Sequence, residues 1–459
     1  MLLTLPVELV DAIIDSVDNP HDLAALSAVC KQLKEKISPA AGTELGILQC
    51  CYLSVEANDA SSFSVLADRP KLAQSVRRLR IPDFNSADDR PYWRARNEGN
   101  PVQILVPSIM GDAISRMVNL RYFSCDINVS AFLLWNDVFK DWSMYCPALK
   151  EIYLRIHQSM GHPRTKPAPL VLFNGLHGLQ ALRVRVNAFD YDETAFQQLV
   201  GAMSTTLSCN AASLLPSLLS LTLLHEDYYP FEACYALRDF LRQHPTIKSL
   251  KLFAISPALD VGMDEDTLPS LRELSVNTEY EHHFTPLFRP LSNDEYRPLA
   301  RIDLAWMHSN DVADDVVPHL PSIHTLKGLC FNIKWSPNHR EMLAELAKIR
   351  PELEELHGRF NGSYCVGDYL KLLRLFPNLR TVQNYNQPSM NGDIGAVLCE
   401  SGRMNPALMC VDDWVRREDN SWKKSKRMAE KWKWALVQEN AYEEDTLTPI
   451  GSVSLSSST

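Results

Sequence analysis

The short apolar pattern P-x-L-x-x-L-x-L recurs along the chain, and it constrains the fold more than any other feature. It is written out as PALKEIYL (Pro147 to Leu154), PSLLSLTL (Pro216 to Leu223), PTIKSLKL (Pro245 to Leu252) and PSLRELSV (Pro269 to Val276). Shorter copies are PSIHTL from Pro321, PELEEL from Pro351 and PNLRTV from Pro377. Copies without the proline are VRRLRI from Val76, LRYFSC from Leu120, LQALRV from Leu179 and LARIDL from Leu299, and PALMCV from Pro406 is a weaker last one. Counted from the first apolar residue of each copy, the units start at 76, 120, 149, 179, 218, 247, 271, 299, 323, 353, 379 and 408.

The pattern dictates a short strand. Its fourth and sixth positions alternate with polar ones, as an extended segment buried on one side requires. The proline stands where a preceding helix must stop and the chain must extend. Between the strands, apolar residues fall at helical spacing: Val138, Trp142 and Tyr145; Cys234, Leu237 and Leu241; Met342, Leu346 and Ile349; Leu370, Leu373 and Phe376. Each unit is therefore expected to be strand, loop, helix. One unit cannot bury both its strand and its helix face, but a stack shares a continuous core. Gly358 and Asn384 occupy sixth positions, so irregularity is expected in the last third.

The copies resemble leucine-rich repeats, although none carries that family's regular asparagine after the strand. The resemblance implies an α/β solenoid, with a curved parallel sheet and outer helices, over residues 71–417. The third, fifth and seventh positions of each unit then line a shared surface, which would hold a protein substrate. The candidate contacts there are Tyr153, Arg155, Arg183, Arg185, Lys251 and Phe253. Guanidinium groups pair well with carboxylate or phosphate, and aromatic rings supply contact area, so an acidic or phosphorylated peptide is the expected ligand.

The first residues pose a separate problem. In LPVELVDAIIDSV, Leu9, Val10, Ile13, Ile14 and Val17 share one side of a helix, with Glu8, Asp11 and Asp15 opposite. Pro6 suits the first helical turn. After Asp18, Asn19 and Pro20, a second stripe runs Leu23, Leu26, Val29, Cys30 and Leu33. Helices this short bury little surface between themselves, and a partner must supply the rest.

The run L-P-x-E-L…I…D-L…L…V-C-K resembles the F-box, an all-α helical motif that docks on a Skp-type adaptor of cullin–RING ubiquitin ligases. The resemblance implies adaptor contacts at Leu5, Pro6, Leu9, Ile13, Leu23, Leu26, Val29, Cys30 and Leu33. The departure is Leu33, in a region where many members carry an aromatic residue. The chain is thus expected to divide into F-box-like helices at 1–45, a helical linker or solenoid cap at 46–70 and degenerate repeats at 71–417. A basic helix at 418–441, with Trp422, Ala429, Trp432 and Leu436 on one face, and a disordered tail at 442–459 complete it.

The remaining features exclude more than they add. A formal net charge of −10 argues against a chain devoted to nucleic acid. Eleven cysteines without a C-x-x-C pair suit a reduced cytoplasmic or nuclear setting, and no apolar run is long enough to span a membrane. No phosphate-binding glycine loop, nucleophile elbow or H-E-x-x-H is present, and the histidines lack a metal spacing, so neither catalytic residues, metal nor cofactor are expected. The resulting expectation is a substrate-recognition subunit of an SCF-type ubiquitin ligase, with no catalysis of its own. The alternative is a repeat scaffold unconnected with ubiquitin, whose first helices only cap the array.

Overall fold

The computed structural model describes residues 28, 52–55, 60–81, 102–128, 142–157, 176–187, 215–225, 231–233, 235–253, 255–257, 263–277, 281–304, 316–331, 339–358, 373–384, 394–411 and 414–425. The F-box-like stretch, apart from Ala28, and the segment beyond residue 425 lie outside the described residues. The chain divides into two compact units, Met1–Leu218 with Thr448–Thr459, and Leu219–Leu447.

In the first unit five strands add to one sheet in chain order: β1 (Tyr52–Ser54), β2 (Arg78–Ile81), β3 (Tyr122–Asn128), β4 (Glu151–His157) and β5 (Ala181–Asn187). Each pairs in parallel with the next. Helices α1 (Ala60–Asp68), α2 (Pro70–Ser75), α3 (Val102–Ser115) and α4 (Trp142–Tyr145) lie between them in the chain. Leu79, Ile81, Phe123, Cys125, Ile152, Leu154, Leu182 and Val184, the fourth and sixth positions of β2 to β5, are all buried. The α4 side chain Trp142 meets Phe123 edge to face at 4.5 Å, which places that helix on the core side of β3. The stretch 46–70, expected to be helical linker or cap, also contains β1, so the array starts one strand earlier than the repeat pattern announces.

In the second unit the strands are β6 (Ser220–His225), β7 (Phe231–Ala233), β8 (Ser249–Phe253), β9 (Ile255–Pro257), β10 (Glu273–Asn277), β11 (Arg301–Leu304), β12 (Gly328–Phe331), β13 (Glu355–Gly358), β14 (Thr381–Asn384), β15 (Cys410–Val411), β16 (Trp414–Arg416) and β17 (Trp422–Lys424). The order β6–β8–β10–β11–β12–β13–β14–β15 is parallel throughout. Strands β7 and β9 form a small separate pair. Helices α5 (Tyr235–Gln243), α6 (His339–Ile349) and α7 (Ile394–Met404) and 3-10 helices at Glu281–Phe288 and Val317–Ser322 connect them. The expected irregularity at Gly358 and Asn384 does not arise in the pairing, because these residues stand opposite each other in a parallel register.

The register repeats because the turns repeat. The first-position N–H of most units donates to the carbonyl three residues earlier, as at Leu120 to Met117, Leu149 to Cys146, Leu353 to Arg350 and Leu408 to Asn405, whereas Leu299 donates to Arg297. The second and third N–H groups then both donate to the second-position carbonyl of the preceding unit. Lys150 and Glu151 share the Arg121 oxygen, and Arg272 and Glu273 share that of Lys248. This pair of hydrogen bonds to one oxygen locks each strand to its neighbour before the ladder begins.

One unit boundary is corrected by the same rule. In PSIHTLKGLCF, Lys327 and Gly328 both donate to Ala300, so the first position is Leu326 and not Ile323. Pro321 lies inside the 3-10 helix Val317–Ser322, and Ile323 closes that turn by donating to Leu320.

The residue three before the first position is buried in each described unit except that of Leu299, where Tyr296 is half-buried, and in the second unit several of these are polar: His244, Arg350 and Asn405. Asn405 donates to the Phe376 oxygen at 2.9 Å, and Arg350 donates from Nε to Leu320 at 2.8 Å and from its terminal nitrogen to Pro321 at 3.0 Å. Arg297, fully buried, donates to the carbonyls of Thr267, Pro286, Leu287, Arg289 and Glu265. These side chains stitch one unit's turn to the next, an irregular counterpart of the missing asparagine.

The end of the second unit differs from the helix expected at 418–441. Trp422–Lys424 is a strand, paired antiparallel with β16, which is itself antiparallel to β15. The hairpin is held by Arg416, whose guanidinium donates to Pro406 at 3.0 Å and rests over Gly402, where a Cβ would meet its Cζ at 3.3 Å. Lys423 and Lys424 are both exposed on β17, the last strand among the described residues, where charge discourages further pairing.

Candidate functional sheet surfaces

The face opposite the buried positions carries the third, fifth and seventh residues of each unit, and the parallel register aligns them in columns. In the first unit Tyr153 stands opposite Arg183, and Arg155 opposite Arg185. On the other side Ser124 faces Tyr153, and Asp126 faces Arg155. Arg78 and Arg80 of β2 face Tyr122 and Ser124. The Arg78 guanidinium lies 5.6 Å from the Tyr122 ring centroid, within cation–π range.

The four candidates Tyr153, Arg155, Arg183 and Arg185 are thus brought together, but they are not equally presented. Arg183 is exposed, Tyr153 and Arg155 are half-buried, and Arg185 is only 3% exposed. Burial lowers the Arg185 guanidinium from its ordinary value, and Arg155 adds to this. A hydrogen bond with Tyr153 and the Asp126 carboxylate work against it. The row Asp126, Arg155, Arg185 therefore holds two neighbouring cations with one carboxylate.

The sequence reading missed a further column. At the second position, immediately before β2, β3 and β4, stand Arg77, Arg121 and Lys150, of which Arg77 is buried, Arg121 half-buried and Lys150 exposed. Their signal was available, since each directly follows a first apolar residue. It was overlooked because the repeat pattern counts outward positions only inside the strand.

The other two candidates, Lys251 and Phe253, belong to the second unit, both half-buried on β8. Their surroundings differ in kind. Ser249 donates to Glu273 at 3.1 Å, and Ser275 donates to Asp303 at 3.3 Å. Arg301 lies 3.5 Å from Glu355, two strands away, and the residue between them is Gly328. A Cβ at Gly328 would meet the Arg301 Cγ at 3.3 Å and the Glu355 Oε2 at 3.4 Å, so the missing side chain lets the pair close over β12. Burial works to lower the Arg301 guanidinium, yet Glu355, Asp303 and Glu273 outweigh it and the net shift is upward. On the rim Lys327 and Arg380 flank Glu354 at 2.8 and 3.5 Å.

Among the described residues no group of three or more His, Cys, Asp and Glu side chains is placed to hold a metal ion, and no helix is long and apolar enough to cross a membrane. The nine adaptor candidates, Leu5, Pro6, Leu9, Ile13, Leu23, Leu26, Val29, Cys30 and Leu33, lie outside the described residues.

No family model matches the sequence, and no curated protein does. Among solved structures the chain is similar to one in the Rad7 and Elc1 complex in yeast, at 13% identity, over 76% of this chain and 92% of that one, with a TM-score of 0.30. A superposition that loose decides nothing about function.

Proposed function

We propose that the chain is a non-catalytic substrate receptor of an SCF-type ubiquitin ligase, working in the cytoplasm or nucleus. Residues 1–45 dock on a Skp-type adaptor, and through it on a cullin–RING assembly. The parallel repeats hold a protein substrate. The observation that supports this best is the combination of an F-box-like run at Leu5 to Leu33 with a long in-register array of parallel strands. Such an array offers columns of side chains at fixed spacing, suited to holding a protein segment. The chain's contribution is proximity: a substrate held near the transferring subunits reacts at a high effective concentration.

Co-purification with a Skp-type adaptor tests the reading, comparing the intact chain with a Leu9→Asp, Leu26→Asp variant. The expected result is adaptor capture by the intact chain and its loss in the variant, with the melting transition of the repeats unchanged. Absence of capture by the intact chain overturns the ligase reading and leaves a repeat scaffold.

A further inference from the structure

We draw no further inference here: the strongest candidate, the exposed acidic cluster of Asp264, Glu265, Asp266, Asp294 and Glu295 where the turn before β10 meets the loop before β11 in the second unit, is paired in part by Arg242 and Arg289 and has no second feature among the described residues that points to a ligand.

Discussion

Arg185 in the first unit and Arg301 in the second both stand on the outward side of the sheet, yet their environments push them in opposite directions. Arg185 is lowered by burial beside a second arginine. Arg301 is raised, because three carboxylates around it more than offset burial. The backbone is the same repeating parallel ladder in both places. What differs is which side chains stand beside each outward charge. In the second unit carboxylates do, as in Arg301 with Glu355, Lys327 and Arg380 with Glu354, and the serine bonds to Glu273 and Asp303. A repeat fold fixes the spacing of side chains, and the residues at those positions decide which charges meet.

The same contrast extends to what holds each unit together, and it can be broken from the largest effect downward. Arg297→Met should destabilise the second unit by about 3–5 kcal/mol, since it leaves buried carbonyls from Glu265 to Arg289 without their donor. Urea titration followed by hydrogen exchange should show the loss confined to residues of the second unit, with β2 to β5 protected as before. Asn405→Ala removes one buried donor to Phe376 and should cost about 1–3 kcal/mol in the same assay.

A pH scan should separate the units by a single repeat position, three residues before the first apolar residue of the unit. In the first unit that position holds Cys146, whose thiol burial pushes up to about 12. The unfolded chain loses this proton near 8.5 while the folded one keeps it, so stability falls as pH rises from about 8.5 toward 12. In the second unit the position holds His244, lowered by burial despite its bond to the Phe240 carbonyl. Its Nδ1 lies 2.7 Å from that oxygen, and among the described residues its buried Nε2 has no partner to receive a second proton's hydrogen bond. The unfolded chain takes up a proton below about 6.5 while the folded one resists, so stability falls as pH drops through that range. Hydrogen exchange at both extremes should therefore show acid loosening β8 and its neighbours in a His244-dependent way, and alkali loosening β3 and β4. His244→Leu should flatten the acid limb alone.

A smaller change sharpens the surface contrast. Gly328→Val inserts a side chain between Arg301 and Glu355 and should cost about 1 kcal/mol, because this half-exposed pair is worth little by itself and the rest is steric.

Much of this was legible in the residues themselves. The alternation in EIYL, RLRI and ELSV requires strands with Leu154, Ile81 and Val276 inside, because a period of two admits no other single-sided burial. The helical spacing of Leu237 and Leu241 needed only the proline at 245 to mark where the helix ends. The pattern likewise put Tyr153, Arg155, Arg183 and Arg185 on one face, as the register confirms. Three things depended on tertiary structure. The true start of the β12 unit at Leu326 depends on which carbonyl Lys327 and Gly328 reach, and two candidate leucine patterns three residues apart cannot reveal that. Trp422–Lys424 has helix-compatible residues, yet it follows a strand whose open edge offers hydrogen bonds that a helix could not use. The burial of Arg185 and the pairing of Arg301 over Gly328 depend on neighbours far away in the chain. Local sequence determines which way a side chain points, but only the stacked units determine what it meets.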